Sequence, residues 1–246
     1  MMKIGEIYKI LDEISPFASQ EEWDNSGLLV GSFETGVERV YLSLDVDDDL
    51  LDEAQPNSLI ITHHPLIFKG LKSLNLDKYP SSLIAKMMAK NLSLIAMHTN
   101  YDLSHLNEYV LSEILGFVPK ERDGFVLYAD VNLSFDELCE MVKTKLNLSH
   151  LRVCKGRKFD HNTPIKRLAF CTGSGGDLID GVKADVFLTG DLKYHQAMSA
   201  AQNNLTMLDI GHFESERYFG ESLAKYLQIL SIPTIISNSK NPFSYS

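Results

Sequence analysis

Short apolar, β-branched runs alternate with segments of helical periodicity along most of the chain. The runs are hydrophobic almost throughout, which is typical of strands buried on both faces of a sheet. They occupy residues 40–44, 59–62, 92–97, 168–172, 185–189, 205–210 and 233–237. Because strand and helix patterns alternate, the sequence predicts an α/β fold.

Helical patterns fill most of the spaces between these runs. The chain opens with an amphipathic pattern, MMKIGEIYKILDEI, and further apolar stripes occur at residues 81–90 and 106–115. Ser134 and Glu137 have the spacing of a capping box, which predicts a helix to about Leu146. The stripe at residues 213–230 predicts the longest helix of the chain.

The strand–helix pattern of residues 40–97 recurs at residues 168–210. This predicts two similar α/β domains, residues 1–122 and 123–246, that meet near residues 120–125. Accidental repetition of a common pattern is the alternative interpretation.

Composition narrows the function classes. The 246 residues carry a net charge of −10, which argues against a protein that binds nucleic acid by neutralising phosphates. No apolar run approaches the roughly 20 residues needed to span a bilayer, so no membrane association is expected. The three cysteines are widely spaced and form no CxxC motif, which fits a reducing cytoplasm.

Histidines and carboxylates follow the apolar runs. His63 and His64 come directly after one run, and His98 and Asp102 come after the next. In α/β sheets the carboxyl ends of the strands are where ligands bind. The alternatives are a surface histidine pair, and an Asx turn or helix cap made by Asn100 or Asp102.

A third run ends in DIGHFESE, where a glycine permits a turn before a helix. His212 and Glu216 are spaced i, i+4 and share one helix face, which is a geometry that presents two ligands to a metal. An ordinary helix start with acidic residues favoured by the dipole is the alternative.

Taken together, these segments offer five metal donors at one edge of a parallel sheet: His63, His64, Asp102, His212 and Glu216. Five donors exceed the three that a catalytic zinc ion usually takes, and they suit two divalent ions. Nitrogen and oxygen donors without thiolate are compatible with Zn, Mn, Fe or Co.

Two more histidines are candidates for proton transfer or for support of the metal ligands. His98 follows a strand, and His195 lies on the first turn of a predicted helix after Asp191, a residue that could cap that helix. The glycine-rich segment after the strand at 168–172 is compatible with phosphate binding or with a simple tight turn.

Six motifs give the chain its resemblance to a known family. They are WDNSGLLVG at residues 23–31, THHPLIF at 62–68, HTNYD at 98–102, GSGG at 173–176, TGDLKYHQA at 189–197 and DIGHFESE at 209–216. In this order they resemble the NIF-three-like dinuclear metal centre proteins, often described as GTP cyclohydrolase 1 type 2 homologues. The resemblance implies two α/β domains with a dinuclear site in the cleft between them, and a homohexamer. The family's metal ligands fall on the same five donors.

The resemblance also implies an activity: hydrolytic opening of the guanine ring of GTP, giving formate and a dihydroneopterin triphosphate. A metal-bound hydroxide would attack C8, and His98 or His195 would move the proton. The same residues would suit a two-metal phosphoesterase, and a non-catalytic metal-binding regulatory or interaction protein is the remaining alternative.

Overall fold

The computed structural model of the chain describes residues 1–244. Its helices and strands form an α/β fold, as the sequence predicted. Within the described residues the strands, in chain order, are β1 Met2–Lys3, β2 Gly27–Val30, β3 Gly36–Val37, β4 Arg39–Ser43, β5 Ser58–Thr62, β6 Ser93–Ala96, β7 Pro119–Asp123, β8 Val126–Leu133, β9 Arg152–Cys154, β10 Ile165–Phe170, β11 Val186–Thr189, β12 Thr206–Asp209 and β13 Thr234–Ile236.

The helices are mostly short. The α-helices are α1 Ile4–Ile14, α2 Asp48–Glu53, α3 Ser81–Ala89, α4 Thr99–Tyr101, α5 Asn107–Tyr109, α6 Phe135–Leu146, α7 Tyr194–Gln202, α8 His212–Glu216 and α9 Phe219–Ala224. Two π-helical segments, Asp102–Leu106 and Val110–Ile114, and three 3₁₀ helices, Phe17–Ser19, Gly175–Gly181 and Leu227–Ile229, complete the set. No helix within residues 1–244 is long and apolar enough to cross a membrane.

The described chain divides into two compact units. Unit 1 comprises Met1–Ser104 together with the described chain from Phe219 onward, and unit 2 comprises His105–Tyr218. This division differs from the predicted boundary between residues 122 and 123, because β13 returns to unit 1 and pairs in parallel with β4. The domain boundary itself stays a prediction.

Unit 1 is built on a five-stranded sheet with the order β13-β4-β5-β6-β2. The first four strands are parallel, and β2 closes the edge antiparallel to β6. Every residue of β5 and β6 is buried, which explains why their sequences are hydrophobic without alternation. A core cluster that includes Ile60, Met87 and Leu94 packs on this sheet.

Unit 2 is built on a six-stranded mixed sheet with the order β7-β8-β10-β11-β12-β9. Strands β10, β11 and β12 are parallel to one another, and β8 and β9 flank them in the antiparallel direction. Phe187, Ala169 and Met207 belong to the core cluster of this unit. Each unit therefore contains three parallel strands in chain order, which matches the repeated pattern of the sequence.

Two segments differ from their predicted form. The single long helix expected at residues 213–230 is interrupted into α8, α9 and the 3₁₀ helix Leu227–Ile229. The break at residues 217–218 coincides with the passage of the chain from unit 2 to unit 1. Residues 120–125, expected to join two halves, instead contribute to the β7–β8 hairpin.

Candidate metal centre

Two histidines of unit 1 follow β5, and a third follows β6, at the same edge of the sheet. The register places Thr62 opposite Ala96, so that His63 lies beside Met97. The Met97 amide donates a hydrogen bond to the Thr62 carbonyl (2.8 Å), and the His63 amide donates to the last residue of β4 (3.2 Å). The ladder thus continues past the strand ends and fixes the backbone that carries the histidines.

The three imidazoles form one cluster. The ring nitrogens of His63, His64 and His98 that could ligate a metal lie within 4.8 Å of one another. The ring centroids are 5.1 Å apart for His63 and His64, 5.1 Å for His63 and His98, and 5.6 Å for His64 and His98. His63 is fully buried, whereas the other two are half-buried. Imidazole groups arranged in this way are ligands for Zn, Cu, Fe or Ni.

Each ring in the cluster has its Nδ1 atom on an oxygen acceptor. The pairs are His63 with the Met97 carbonyl (2.9 Å), His64 with Asp45 (2.8 Å) and His98 with Asp24 (2.7 Å). Because an oxygen acceptor requires a proton on Nδ1, the lone pair of the neutral ring resides on Nε2. Metal-ligating histidines typically have this arrangement, with an outer oxygen fixing the tautomer. The cluster therefore presents Nε2 lone pairs, each of which could ligate a metal ion or accept a proton.

Asp24 is the most strongly held carboxylate of this group. Its side chain is fully buried, and it accepts hydrogen bonds from His98 Nδ1 and from the amide and hydroxyl of Thr99 (3.0 and 2.5 Å). Burial by itself would raise the pKa of Asp24, but these hydrogen bonds and the charge of a protonated His98 outweigh it and hold the pKa well below its ordinary value. Asp24 is therefore ionised and orients the His98 ring.

Asp102 joins the same edge as the first residue of the π-helical segment after α4. Its amide donates to the His98 carbonyl (3.0 Å), and its Oδ1 atom is 3.5 Å from Nε2 of the buried His63. Asn100 does not cap the helix, because its side-chain amide donates to the carbonyl and hydroxyl of Ser15. A carboxylate oxygen facing an imidazole Nε2 at this separation is a suitable pair of ligands for one cation.

Unit 2 carries a second donor pair at the carboxyl end of its parallel strands. His212 opens α8 just after β12, and its Nε2 atom is 2.9 Å from Oε2 of Glu216, one turn later. Its Nδ1 atom lies 2.8 Å from Asp191 Oδ2. Glu216 is buried. The i, i+4 pair predicted from the sequence is thus formed, and its histidine is held by a carboxylate as in unit 1.

Gly173, in the loop after β10, leaves the space that the Glu216 carboxylate occupies. A Cβ atom at this position would lie 2.0 Å from Glu216 Oε1 and 3.7 Å from His212 Nε2, and the residue has φ of +60°. The Gly173 amide donates to the Ser215 hydroxyl (2.9 Å), which ties this loop to α8. The glycine-rich segment therefore makes a tight turn whose role is to admit a carboxylate.

His195 belongs to none of the groups of described residues that could hold a metal ion. It is exposed on the first turn of α7, where its ring contacts that of Tyr194, with centroids 5.2 Å apart. Its expected role in proton transfer stays a prediction. Asp191 does not cap α7, since the helix begins after Lys193 and Asp191 instead contacts His212.

The supporting carboxylates were the residues that sequence reasoning identified least well. The sequence patterns do not indicate Asp45, they include Asp24 only as part of the WDNSGLLVG motif, and they suggest Asp191 only as a helix cap. Asp45 and Asp191 share a usable signal, because each follows a parallel strand by two residues. Aspartate at such positions lies at the same edge as the histidines.

Comparison with known proteins identifies the family of the chain and two of its relatives. The family model described as Duf34/NIF3 (NGG1p interacting factor 3) matches residues 2–242. A Campylobacter jejuni protein named GTP cyclohydrolase 1 type 2 homolog is 57% identical over 244 residues, covering 99% of this chain and 100% of that protein. A Helicobacter pylori protein named GTP cyclohydrolase 1 type 2 is 39% identical over 244 residues, covering 98% of each.

A solved structure shows the same fold. The crystal structure of a Staphylococcus aureus protein described as hypothetical superposes with a TM-score of 0.85 at 28% identity, covering 100% of this chain and 99% of that one. Because the family model spans nearly the whole sequence and a close relative covers it from end to end, the chain belongs to the Duf34/NIF3 (NGG1p interacting factor 3) family.

Proposed function

We propose that this protein is a metal-dependent hydrolase that opens the guanine ring of GTP, releasing formate and forming a dihydroneopterin triphosphate. The observation that carries the proposal is the cluster of His63, His64 and His98, whose Nδ1 atoms all contact oxygen acceptors. The names of the Campylobacter and Helicobacter relatives support the choice of reaction.

The proposed ligands of two divalent ions are His63, His64, Asp102, His212 and Glu216. Their donor atoms are imidazole nitrogens and carboxylate oxygens, which are compatible with Zn, Fe, Mn or Co. A divalent ion at such ligands acts as a Lewis acid and brings the pKa of a water molecule close to neutrality. Asp45 and Asp191 hold His64 and His212 in the tautomer that ligation requires.

His98 is the proposed proton carrier. With its Nδ1 proton held by Asp24, the ring presents the Nε2 lone pair, which can accept a proton from water as the water adds to C8 of guanine. The buried Asp24 carboxylate then stabilises the imidazolium that forms. The proton is available for return to the departing nitrogen as the ring opens to a formamide, and a second water molecule then cleaves the remaining C8–N bond to release formate. His195 remains the second candidate for this role.

Release of formate from GTP by the metal-restored protein tests the proposal. We expect His98→Gln to reduce the rate by about 100-fold or more, the usual effect of losing a general base. His161→Gln is the matched control, because His161 also contacts an aspartate, Asp136, at 2.9 Å, but on an exposed surface. The control should keep the wild-type rate.

Other outcomes would overturn the assignment in distinct ways. Phosphate release without formate would identify a two-metal phosphoesterase. Tight metal binding with no turnover of GTP would identify a non-catalytic metal-binding or interaction protein. Equal rates for the wild-type protein and His98→Gln would remove His98 from the mechanism.

Three broader expectations accompany the proposal. The resemblance to the family implies a homohexamer, which a mass of six times 27.7 kDa in solution would establish. The three cysteines, Cys139, Cys154 and Cys171, are widely spaced in the sequence and form no CxxC motif, which supports a reducing cytoplasmic location. The net charge of −10 supports a small-molecule substrate and not a nucleic acid.

A further inference from the structure

Two exposed aromatic rings lie directly beside His98 in unit 1. Trp23 is 58% exposed and Phe68 is 40% exposed. Their ring centroids are 5.8 Å apart, and each ring lies against His98, at 6.2 Å for Trp23 and 6.1 Å for Phe68. Single exposed apolar residues are common on protein surfaces, but these two contact each other and a residue of the histidine cluster.

The backbone on both sides of this aromatic pair is fixed. Asp24, next to Trp23, is held by His98 and Thr99 through its buried carboxylate. The side-chain amide of Asn25 donates to the carbonyl of Ile67, the residue before Phe68, at 2.5 Å. The two rings are therefore exposed on a rigid support, which lowers the entropic cost of binding a ligand.

We propose that Trp23 and Phe68 form a stacking surface for the planar heterocyclic base of the substrate. The surface binds the base beside His98, so the two aromatic residues position the ring that is to be hydrolysed. Identification of that base as guanine rests on the proposed function. The stacking of a planar nitrogen heterocycle does not depend on it.

The geometry limits how the base binds. Aromatic rings that interact are separated by about 4.5–7 Å between centroids, so a ring inserted between two others needs them roughly 9 Å apart or more. At 5.8 Å, Trp23 and Phe68 leave no room for a ring between them. The base therefore stacks on the outer face of the pair, in contact with both exposed rings.

Polarity favours a base as the occupant. The base is the uncharged part of the proposed substrate, so the net charge of −10 does not oppose its contact with Trp23. A polar, planar base can stack on Trp23 and still form hydrogen bonds at its edge, whereas an apolar protein segment or a lipid chain would offer no polar contact to the Nε2 atom of neighbouring His98. Stacking also suits a heterocycle because every base has a π-face.

Trp23 is the only tryptophan of the chain, so its fluorescence reports on this surface alone. The full-length protein is titrated with GTP, guanosine and inorganic tripolyphosphate. We expect GTP and guanosine to quench the emission of Trp23 and to protect it from iodide, whereas tripolyphosphate has no effect. Unchanged emission at saturating guanosine would overturn the proposal. So would emission that is already blue-shifted and insensitive to iodide, because another protein surface would then cover the pair.

Calorimetry with variants gives an independent test. Phe68→Leu should weaken guanosine binding by about fivefold or more, as expected for loss of base stacking. Phe243→Leu removes a ring that is 73% exposed elsewhere in unit 1 and should bind guanosine as the wild type does. Equal affinities for Phe68→Leu and wild type would contradict the proposal.

These binding measurements separate the stacking proposal from the proposed function. Guanosine binding that depends on Phe68, with no formate release from GTP, would leave the stacking surface intact and refute the hydrolase. Formate release with no response of Trp23 fluorescence and no effect of Phe68→Leu on guanosine binding would refute the stacking surface and leave the proposed hydrolase intact.

Discussion

A hydrogen bond to Nδ1 determines what each clustered histidine can do. In water an imidazole exchanges between two tautomers and becomes protonated near pH 6.5. In this protein, oxygen acceptors hold the Nδ1 protons of His63, His64, His98 and His212. Three of the acceptors are aspartates, which also fix the orientation of the ring. The Nε2 atom of each ring is thereby prepared to bind a metal or a proton.

Asp24 makes the stability of unit 1 depend on pH. Because its folded-state pKa is depressed below the ordinary 3.8, its stabilisation is fully present above about pH 4 and is lost as the pH falls towards the folded-state pKa. We expect Asp24→Asn to lower the free energy of unfolding by about 1–3 kcal/mol at pH 7. The loss should shrink below pH 4. Urea unfolding of metal-depleted protein across this range measures it.

Asp49→Asn is the control for this prediction. The pKa of Asp49 is also lowered, first by its hydrogen bond from Lys240, but both side chains are more than half exposed. An exposed ion pair contributes about 0–1 kcal/mol, so this variant should unfold nearly as the wild type does. Equal losses for the two variants would show that burial of Asp24 has no part in the effect.

Asp191 is expected to act on metal affinity through His212. Asp191→Asn leaves the metal donors in place but weakens the hold on the Nδ1 proton, which should reduce metal affinity by about 10- to 100-fold. Competition with a coloured chelator measures this change. Asp136→Asn, which alters an aspartate–histidine contact outside the donor groups, should bind metal normally. Unchanged affinity in Asp191→Asn would assign Asp191 a purely local role.

At the scale of secondary-structure elements, the short loops that follow the parallel strands position the metal donors. The parallel register aligns Thr62 with Ala96 in unit 1 and Thr189 with Asp209 in unit 2. The residues that directly follow these aligned pairs therefore lie at the carboxyl edge of the parallel strands in each sheet. Gly190 and Gly211 approach each other closely there, since a Cβ on Gly190 would lie 2.7 Å from the Gly211 backbone. This close approach brings Asp191 to His212.

The loop at Gly173 offers a direct test of this positioning. In Gly173→Ala the new methyl group would displace the Glu216 carboxylate, so we expect weaker metal binding. The left-handed backbone adds a loss of stability of about 1–2 kcal/mol. Gly124→Ala is the matched control, because Gly124 has φ of +55° and no atom within 4 Å of its Cβ position. It should lose similar stability with metal binding intact, and loss of binding in both variants would contradict this explanation.

For the whole molecule, sequence patterns predicted buried elements better than exposed ones. Strands β4, β5, β6, β10, β11 and β12 all lie within a few residues of the predicted runs, because parallel buried strands are hydrophobic throughout. Strand β13 also lies in a predicted run, since its sequence is apolar although Ile235 and Ile236 are exposed. Strand β7, with the sequence PKERD, was missed because four of its five residues are exposed. The break before α9 was missed because an apolar stripe does not encode a change of packing partner.

The sequence predicted the metal donors of the candidate site but not the carboxylates that hydrogen-bond to them. Histidines at strand ends are conspicuous in sequence, and the i, i+4 spacing of His212 and Glu216 defines their shared face. The contact of His98 with Asp24 joins residues 74 positions apart, which periodicity cannot reveal. The aromatic pair of Trp23 and Phe68 escaped prediction for the same reason.

The metal content of the full-length protein tests the central claim most directly. After exposure to a divalent metal and removal of the excess, mass spectrometry should find two ions per chain in the wild-type protein and in a His161→Ala control. His64→Ala and Glu216→Ala should each retain fewer. A wild-type protein that holds less than one ion per chain would contradict the assignment of these side chains as metal ligands. So would His64→Ala and Glu216→Ala variants with the same metal content as the wild type.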